Sequence, residues 1–384
     1  MANKPEDIED FDEEFEVKEY LIPKNIVNAL IDNFSIIRNK LSEVMDIPTS
    51  TTSEHALGWW RQQSGDDQIV LKAALTAMAA PAMISQISIM RGNEKYIQTT
   101  MAQESSRVSD PCFLIGEDES GDHVKIRRLR APDVMIGTML MYLDSEMELG
   151  VADFNFTTEI DDFHTLLGFL DLYRRQYYQA LMEHEPLPTV FNTEDVRNSI
   201  DDAHSYGDPR WLLPLALPVL PNTTVPDQNT LNYSLYDLGK IGIINISSDY
   251  STVTLADPTE LLCNEMLTRP ASIRITNLGF DENNNPAGMS TMFIRSENLV
   301  WFINVGGDTG GTASWAVIDL EKASELMKEL FTPVGAPTVV APEPVEAPKA
   351  SSDAKYCSLC GKEATWIEQY QRWYCYSCQR YLDS

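Results

Sequence analysis

Pro81-Ala82-Met83-Ile84-Ser85-Gln86-Ile87-Ser88-Ile89 follows an apolar, helix-like stretch that ends at Ala80. Pro270-Ala271-Ser272-Ile273-Arg274-Ile275-Thr276 follows a similar stretch that ends at Arg269. In both places proline stops a helix, because it lacks an N–H and crowds the preceding turn. What comes next alternates and is rich in isoleucine, the pattern of a half-buried strand. Two helix–proline–strand joins about 190 residues apart indicate a chain that repeats itself in degenerate form.

The resemblance continues downstream of both joins. An extended segment (Tyr96 to Gln103; Met289 to Arg295) precedes an apolar strand (Cys112 to Gly116; Leu299 to Val305), a Gly-Asp-rich turn and another strand (His123 to Leu129; Ala313 to Leu320). Each copy closes with a helix, Pro132 to Met147 and Glu321 to Phe331, whose apolar residues recur every three or four positions. The predicted fold class is α+β: a pseudo-twofold duplicated body with antiparallel sheets flanked by helices. Ahead of the second copy, Thr158 is expected to cap a long helix with one apolar stripe, Ile160, Phe163, Leu167, Leu170, Tyr173, Tyr177 and Leu181. Next come a capped helix from Thr193, a proline-broken segment around Trp211 to Pro221, a helix at Leu231 to Gly239, and strands Ile241 to Ser247 and Thr252 to Leu255. Three helices and then a hairpin are the layout of a winged helix.

Five segments are expected: a disordered acidic tail (1–19), a first α+β lobe (20–150), a second lobe with the winged-helix-like segment (151–331), a linker (332–354) and a terminal module (355–384). The tail carries nine acids against two lysines and few large apolar residues, too little to offset ordering; Phe11 and Phe15 leave a short docking motif as its alternative reading. The linker holds Pro333, Pro337, Pro342, Pro344 and Pro348 without helical or alternating pattern. Extended at about 3.1 Å per residue, it could separate its ends by roughly 65 Å. No run of 18 apolar residues exists and the start has no hydrophobic segment, so a cytoplasmic location is expected.

Charge narrows the function. Against 58 acidic side chains stand 29 basic ones, a formal charge of -29, which repels phosphate backbones and makes nucleic acid an unfavourable partner. The winged segment obeys the same sign: from Thr189 to Ala256 Arg197, Arg210 and Lys240 face eight acids, so a protein-facing or packing role fits it better than reading DNA.

Four of the six cysteines, Cys357, Cys360, Cys375 and Cys378, form two Cys-x-x-Cys pairs within the last 28 residues. Two such turns present four thiolates in the tetrahedron Zn²⁺ prefers, and Gly361 suits the turn of a metal knuckle. Between them, Ala364 to Tyr374 reads as a hairpin rich in aromatics. So short a piece cannot build a core, so one structural Zn²⁺ must supply the folding free energy, on the order of 10 kcal/mol. A redox dithiol pair is the competing reading. Residues 355–384 resemble the zinc ribbons at the ends of many archaeal and some bacterial proteins, through Cys357-Ser-Leu-Cys360-Gly361, Ile367 to Cys375 and Tyr376-Ser-Cys378; the resemblance implies a closed structural site and an archaeal flavour. Lys355, Lys362, Arg372 and Arg380 are nearly balanced by Glu363, Glu368, Asp383 and the tetrathiolate charge, which disfavours nucleic acid here too.

Other motifs have plain readings. Gly306-Gly307-Asp308-Thr309-Gly310-Gly311 lacks the Gly-Lys-Ser/Thr ending of a phosphate loop and precedes a strand, so it and the acidic Gly116 to Asp122 are expected as hairpin turns. Methionines 78, 83, 90, 135, 139, 141 and 147 fit a core, with a peptide-lining groove as the alternative. Cys112 and Cys263 stand alone in apolar surroundings. Among the five histidines no catalytic spacing occurs; His204 beside Asp208 is the least implausible acid–base pair.

The body resembles the EspG-type chaperones of type VII secretion in its helix–proline–strand joins at Pro81 and Pro270, its paired glycine turns at Gly116 and Gly306, and Leu238-Gly239-Lys240-Ile241-Gly242 before the wing. The resemblance implies two pseudo-twofold lobes and substrate binding by a chaperone; it carries no binding residue, and the zinc ribbon departs from that family. The expected function is a non-enzymatic cytoplasmic adaptor or chaperone-like protein that binds a protein or peptide. A transcription-linked regulator using the winged segment and ribbon, and an enzyme with an interlobe site, are the alternatives.

Overall fold

The computed structural model describes residues 18–44, 52–92, 94–104, 110–144, 149–150, 152–220, 223–281, 283–306 and 311–332, with strand segments 365–367, 372–375 and 380–381. The chain divides into two units, Met1–Ala336 and Pro337–Ser384. In the first unit, the first half supplies strands β1 (Glu19–Pro23), β2 (Met83–Arg91), β3 (Glu94–Gln103), β4 (Cys112–Glu117) and β5 (His123–Leu129). The second half opens with β6 (Asn155–Glu159) and sets aside β7 (Val190–Asn192), β8 (Ile244–Ile246) and β9 (Thr252–Leu255) as a small separate sheet. It then returns with β10 (Ala271–Phe280), β11 (Pro286–Arg295), β12 (Val300–Gly306) and β13 (Thr312–Ile318).

Ten of these strands make one antiparallel sheet, in the order β1-β5-β4-β3-β2-β10-β11-β12-β13-β6. Read from either edge the order is the same, so the expected lobes meet in a continuous sheet at the β2–β10 pair, where Gln86 faces Thr276, Ile87 faces Ile275 and Ser88 faces Arg274. Matching Pro81 to Pro270 is one residue out of step with this sheet. Alternate residues point to opposite faces, so equivalent positions in its two halves must differ by an even number. Equating the first strand residues, Met83 and Ala271, places the Ile87–Ile275 pair on the approximate twofold. Gln86 then becomes the counterpart of Arg274, and Ser88 that of Thr276.

Ten helices flank the sheet among the described residues: α1 (Lys24–Asn33), α2 (Ser53–Trp60), α3 (Gly65–Ala79), α4 (Asp133–Leu143), α5 (Ile160–Glu183), α6 (Thr193–Tyr206), α7 (Leu212–Ala216), α8 (Gln228–Lys240), α9 (Asp257–Glu265) and α10 (Leu320–Leu330). Parity sorts them. Ile87, Ile89, Ile273, Ile275 and Phe293 point to one face, where Met135 and Met139 of α4 and Met327 and Leu330 of α10 cover the centre of the sheet. On the other face α1 and α3 bury Ile26, Leu30, Leu71 and Leu75 against Ile22, Ala102, Ile115 and Ile126. At its far end α5 and its neighbours cover Met292, Ile294, Trp301 and Trp315. One face is therefore covered in the middle and the other at both ends. Full burial of each such side chain contributes about 1.5–3 kcal/mol.

Met78, Met83, Met90, Met135 and Met139 are all buried core, whereas Met141 is exposed; Met147 lies outside the described residues. Two amides anchor the end of α10: Gln103 Nε2 donates to Phe331 O (3.2 Å) and Asn277 Nδ2 to Leu330 O (2.7 Å). A buried carboxylate fastens α9 to the β11–β12 turn, where Glu265 accepts from Ser296 Oγ (2.5 Å) and from Asn298 N (3.1 Å) and Nδ2 (2.9 Å).

Some local expectations are corrected. Thr158 caps no helix: it lies in β6 opposite Ala313, and α5 begins after Glu159 without a side-chain cap. The reason is tertiary, because Ile160 N donates to Gly311 O (2.9 Å), so the residue leading into β13 satisfies an amide that a cap would otherwise serve. Glu19, expected in the tail, starts β1 and accepts from Arg127 Nε (2.9 Å) with Lys125 Nζ at 2.8 Å. Both glycine turns do join paired strands, β4 to β5 and β12 to β13; residues 307–310 of the second lie outside the described residues. In the second unit, Thr365–Ile367 pairs with Arg372–Cys375, which pairs with Arg380–Tyr381, all antiparallel.

Gly168 tests the packing of α5 on α6. A Cβ there would stand 2.3 Å from Ile200 Cγ1. Alanine normally stabilises a helix interior by about 1 kcal/mol over glycine, but Gly168→Ala should destabilise this protein by about 1–3 kcal/mol through overpacking. Chemical denaturation of the single variant and of Gly168→Ala/Ile200→Ala would check it: the second change should cost less in the Gly168→Ala background than in the native chain.

Candidate functional site

The open middle of the second face is a groove of about 150 Å³. Its floor consists of two rows that run across three strands: Gln98, Ser88 and Arg274 form one, and Thr100, Gln86 and Thr276 the other. Polarity here follows from the helix layout. One step further along each row, Thr100 faces Ile115 under α1–α3, and Arg274 faces Met292 under α5 and its neighbours. The strands alternate as buried strands do, yet where no helix lies above them the outward residues are amides, hydroxyls and one guanidinium.

Arg274 is the one ionisable side chain lining the groove. It is half-buried, and that desolvation lowers its pKa. Nη1 reaches Leu215 O at 3.5 Å, a marginal bond, and no salt bridge to a carboxylate is made by Arg274 among the described residues. Leu215 belongs to α7, and the following turn brings Pro218 to the groove wall. The wall is held from inside: Asp171, fully buried on α5, accepts from Leu212 N (2.7 Å) and Leu213 N (2.8 Å) at the start of α7. Burial pushes the Asp171 carboxyl up, while Arg269 and these two amides favour its charged form.

A larger cavity of about 280 Å³ lies among α5, α6 and α7, lined by Asp171, Arg175, Asp202, Asp208 and Trp211 among others. Its charges are already matched. Asp202 Oδ2 is 2.6 Å from Arg175 Nη1, Asp208 holds Arg210, and the guanidinium of Arg175 lies 5.4 Å from the Trp211 ring centroid. The groove, with its unmatched cation, is the better candidate.

Of the residues singled out from sequence, Cys357, Cys360 and Cys378 lie outside the described residues, and Cys375 ends a strand opposite Arg380. Cys112 and Cys263 are buried free thiols; burial pushes both up, Cys112 to about 12. His204 and Asp208 do not form a pair. Asp208 engages Arg210 Nε (2.7 Å), and His204 Nε2 instead lies 2.9 Å from His164 Nε2 between α5 and α6. Among the described residues no group of three or more His, Cys, Asp or Glu could hold a metal ion, and no helix is long and apolar enough to cross a membrane. Gln86, Ser88 and Arg274 stood inside the stretches that revealed the strands. The visible signal was an arginine in an otherwise apolar alternation, but only the absence of a covering helix gives it meaning.

No family model and no curated protein matches the chain. Among solved structures it is similar to the Mycobacterium tuberculosis type VII secretion system chaperone EspG5, solved in complex with a PE25–PPE41 dimer. That likeness has 9% identity and a TM-score of 0.41, over 83% of this chain and 97% of that one.

Two predictions follow from the buried polar groups. Asp171→Ala strands two buried amides beside Arg269 and should destabilise the protein by about 3–5 kcal/mol, read as a lower denaturation midpoint. Burial lowers His164 to about 4 from its ordinary 6.5. As the pH falls through that window the unfolded chain takes up a proton that the folded one refuses, so stability present at neutral pH declines by up to about 3 kcal/mol. His164→Gln should flatten this part of a melting-temperature profile between pH 7 and 4.

Proposed function

We propose that this chain is a non-enzymatic binding protein of adaptor or chaperone type, whose body takes a segment of a partner protein into the central groove. The carrying observation is the open middle of the second sheet face, which lies between two helix-covered ends, has Pro218 at its wall and is floored by hydrogen-bonding side chains without an acid–base pair. A floor of amides and hydroxyls satisfies a polar segment better than it shelters a small apolar ligand. Duplication of a helix–sheet unit accounts for the groove, since two covered halves joined edge to edge leave their junction bare. The winged-helix-like segment, 190–255, serves in this reading as a packing module: Lys240 on α8 is held by Asp237 (3.1 Å) and lies 4.2 Å from the Tyr236 ring centroid, so it offers little free positive charge to a phosphate backbone.

The second unit is proposed as a zinc ribbon, with Cys357, Cys360, Cys375 and Cys378 as ligands of one structural Zn²⁺, carried on the linker 332–354 in a cytoplasmic protein. Support comes from the donor set and from the strand pairs Thr365–Tyr374 and Cys375–Arg380, which suit two knuckles joined by a hairpin. When bound, the metal would supply folding free energy to a piece too small for its own core.

Elemental analysis of purified full-length protein should return one zinc per chain, reduced at least severalfold by Cys357→Ser/Cys360→Ser; no zinc in the native protein refutes the ribbon. For the groove, affinity capture from the native host should compare the intact chain, a ribbon-deleted chain and Thr276→Trp, which fills the groove. Partners retained by the ribbon-deleted chain and lost by Thr276→Trp support the reading. Partners indifferent to Thr276→Trp contradict it.

A further inference from the structure

Resting on the groove as the binding site, we infer that Arg274 is a specificity residue that takes an aspartate or glutamate carboxylate from the bound partner segment. Four observations lead there. Arg274 stands in the groove floor between Ser88 and Met292, with Gln98 in the same row and Gln86 and Thr276 in the next. Its guanidinium makes the marginal bond to Leu215 O, and no carboxylate pairs with it among the described residues. The cation is partly desolvated without an internal counter-charge, in a chain where acids outnumber bases by two to one. Finally, the twofold relation puts neutral Gln86 at the equivalent position of the other half, so positive charge appears on one side of a near-symmetric groove. A bound segment is thereby given a direction as well as a charge requirement.

The chemistry selects the ligand. A guanidinium offers five donors in a planar fork that matches a carboxylate with two parallel bonds, and partial burial strengthens each of them. Gln86, Gln98, Ser88 and Thr276 can donate to or accept from the neighbouring backbone, which fixes the segment without demanding further charge. The body's negative charge opposes highly acidic ligands at long range, so the preferred segment holds one acid among neutral residues instead of an acidic run.

The test is selection of random twelve-residue peptides displayed on phage against full-length wild type, Arg274→Gln, Arg274→Glu, Ser88→Asp and Thr276→Trp, each checked for native circular dichroism and melting. Arg274→Gln repeats the residue at the equivalent position of β2. Ser88→Asp supplies an internal carboxylate opposite Arg274 and leaves the arginine in place, which keeps the proposal testable if a 274 variant fails to fold. Peptides enriched on wild type should share one Asp or Glu at a fixed position. Changing that acid to its amide, or testing the peptide on Arg274→Gln or Ser88→Asp, should weaken binding by about ten- to a hundredfold. Arg274→Glu should enrich a Lys or Arg at the same position. Wild-type peptides without an acid preference, yet lost on Thr276→Trp, overturn the role of Arg274 and leave the groove reading standing. Wild-type peptides that bind Thr276→Trp equally well, or the absence of any enrichment, overturn both.

Discussion

The structure depends on one strand pair. β2 and β10 bring together residues almost two hundred positions apart in sequence, and through them two five-stranded halves become a single sheet. The pairing fixes which side chains lie over which helix: the isoleucines meet α4 and α10, and their alternates turn outward. Because a slip of one residue would exchange these sets, apolar burial on the covered face specifies the register. Ile87 and Ile275, facing each other on the twofold, are fully buried there.

The groove is a by-product of that constraint. Two groups of helices cover the ends of the second face and leave the junction open, so water or a ligand must satisfy what lies there. Two buried carboxylates do meet internal partners, Glu265 through Ser296 and Asn298, and Asp171 through the amides of α7. Arg274, in the groove floor, meets only the distant Leu215 carbonyl. The wall beside it is tied through α7 to a carboxylate inside the core, which gives the groove a rigid edge where a charge is presented.

Much of the fold was legible because it is written locally. Proline after an apolar helix, followed by alternation, located β2 and β10. The paired glycine turns located the β4–β5 and β12–β13 hairpins. What was misread had tertiary causes. Thr158 has the composition of a cap, but Gly311, just before β13, accepts the hydrogen bond from the start of α5. Glu19 is surrounded by acids that suggest solvation, but Lys125 and Arg127 on β5 hold it in an edge strand. Gly168 carries no sequence signal for Ile200, thirty-two positions away, pressing against it.

The sequence by itself determined the α+β class, the repeated order of elements, the acidic balance and the cysteine pattern, because each follows from local propensity, periodicity or composition. Tertiary structure decided that the halves share one sheet, that equivalent residues are offset by an even number, and that Arg274 stands at their open junction with only the edge of α7 beside it. Those outcomes turn on which faces are covered. Coverage is a property of elements distant in the chain, and no window of sequence contains both the floor of a groove and the helices that fail to close it.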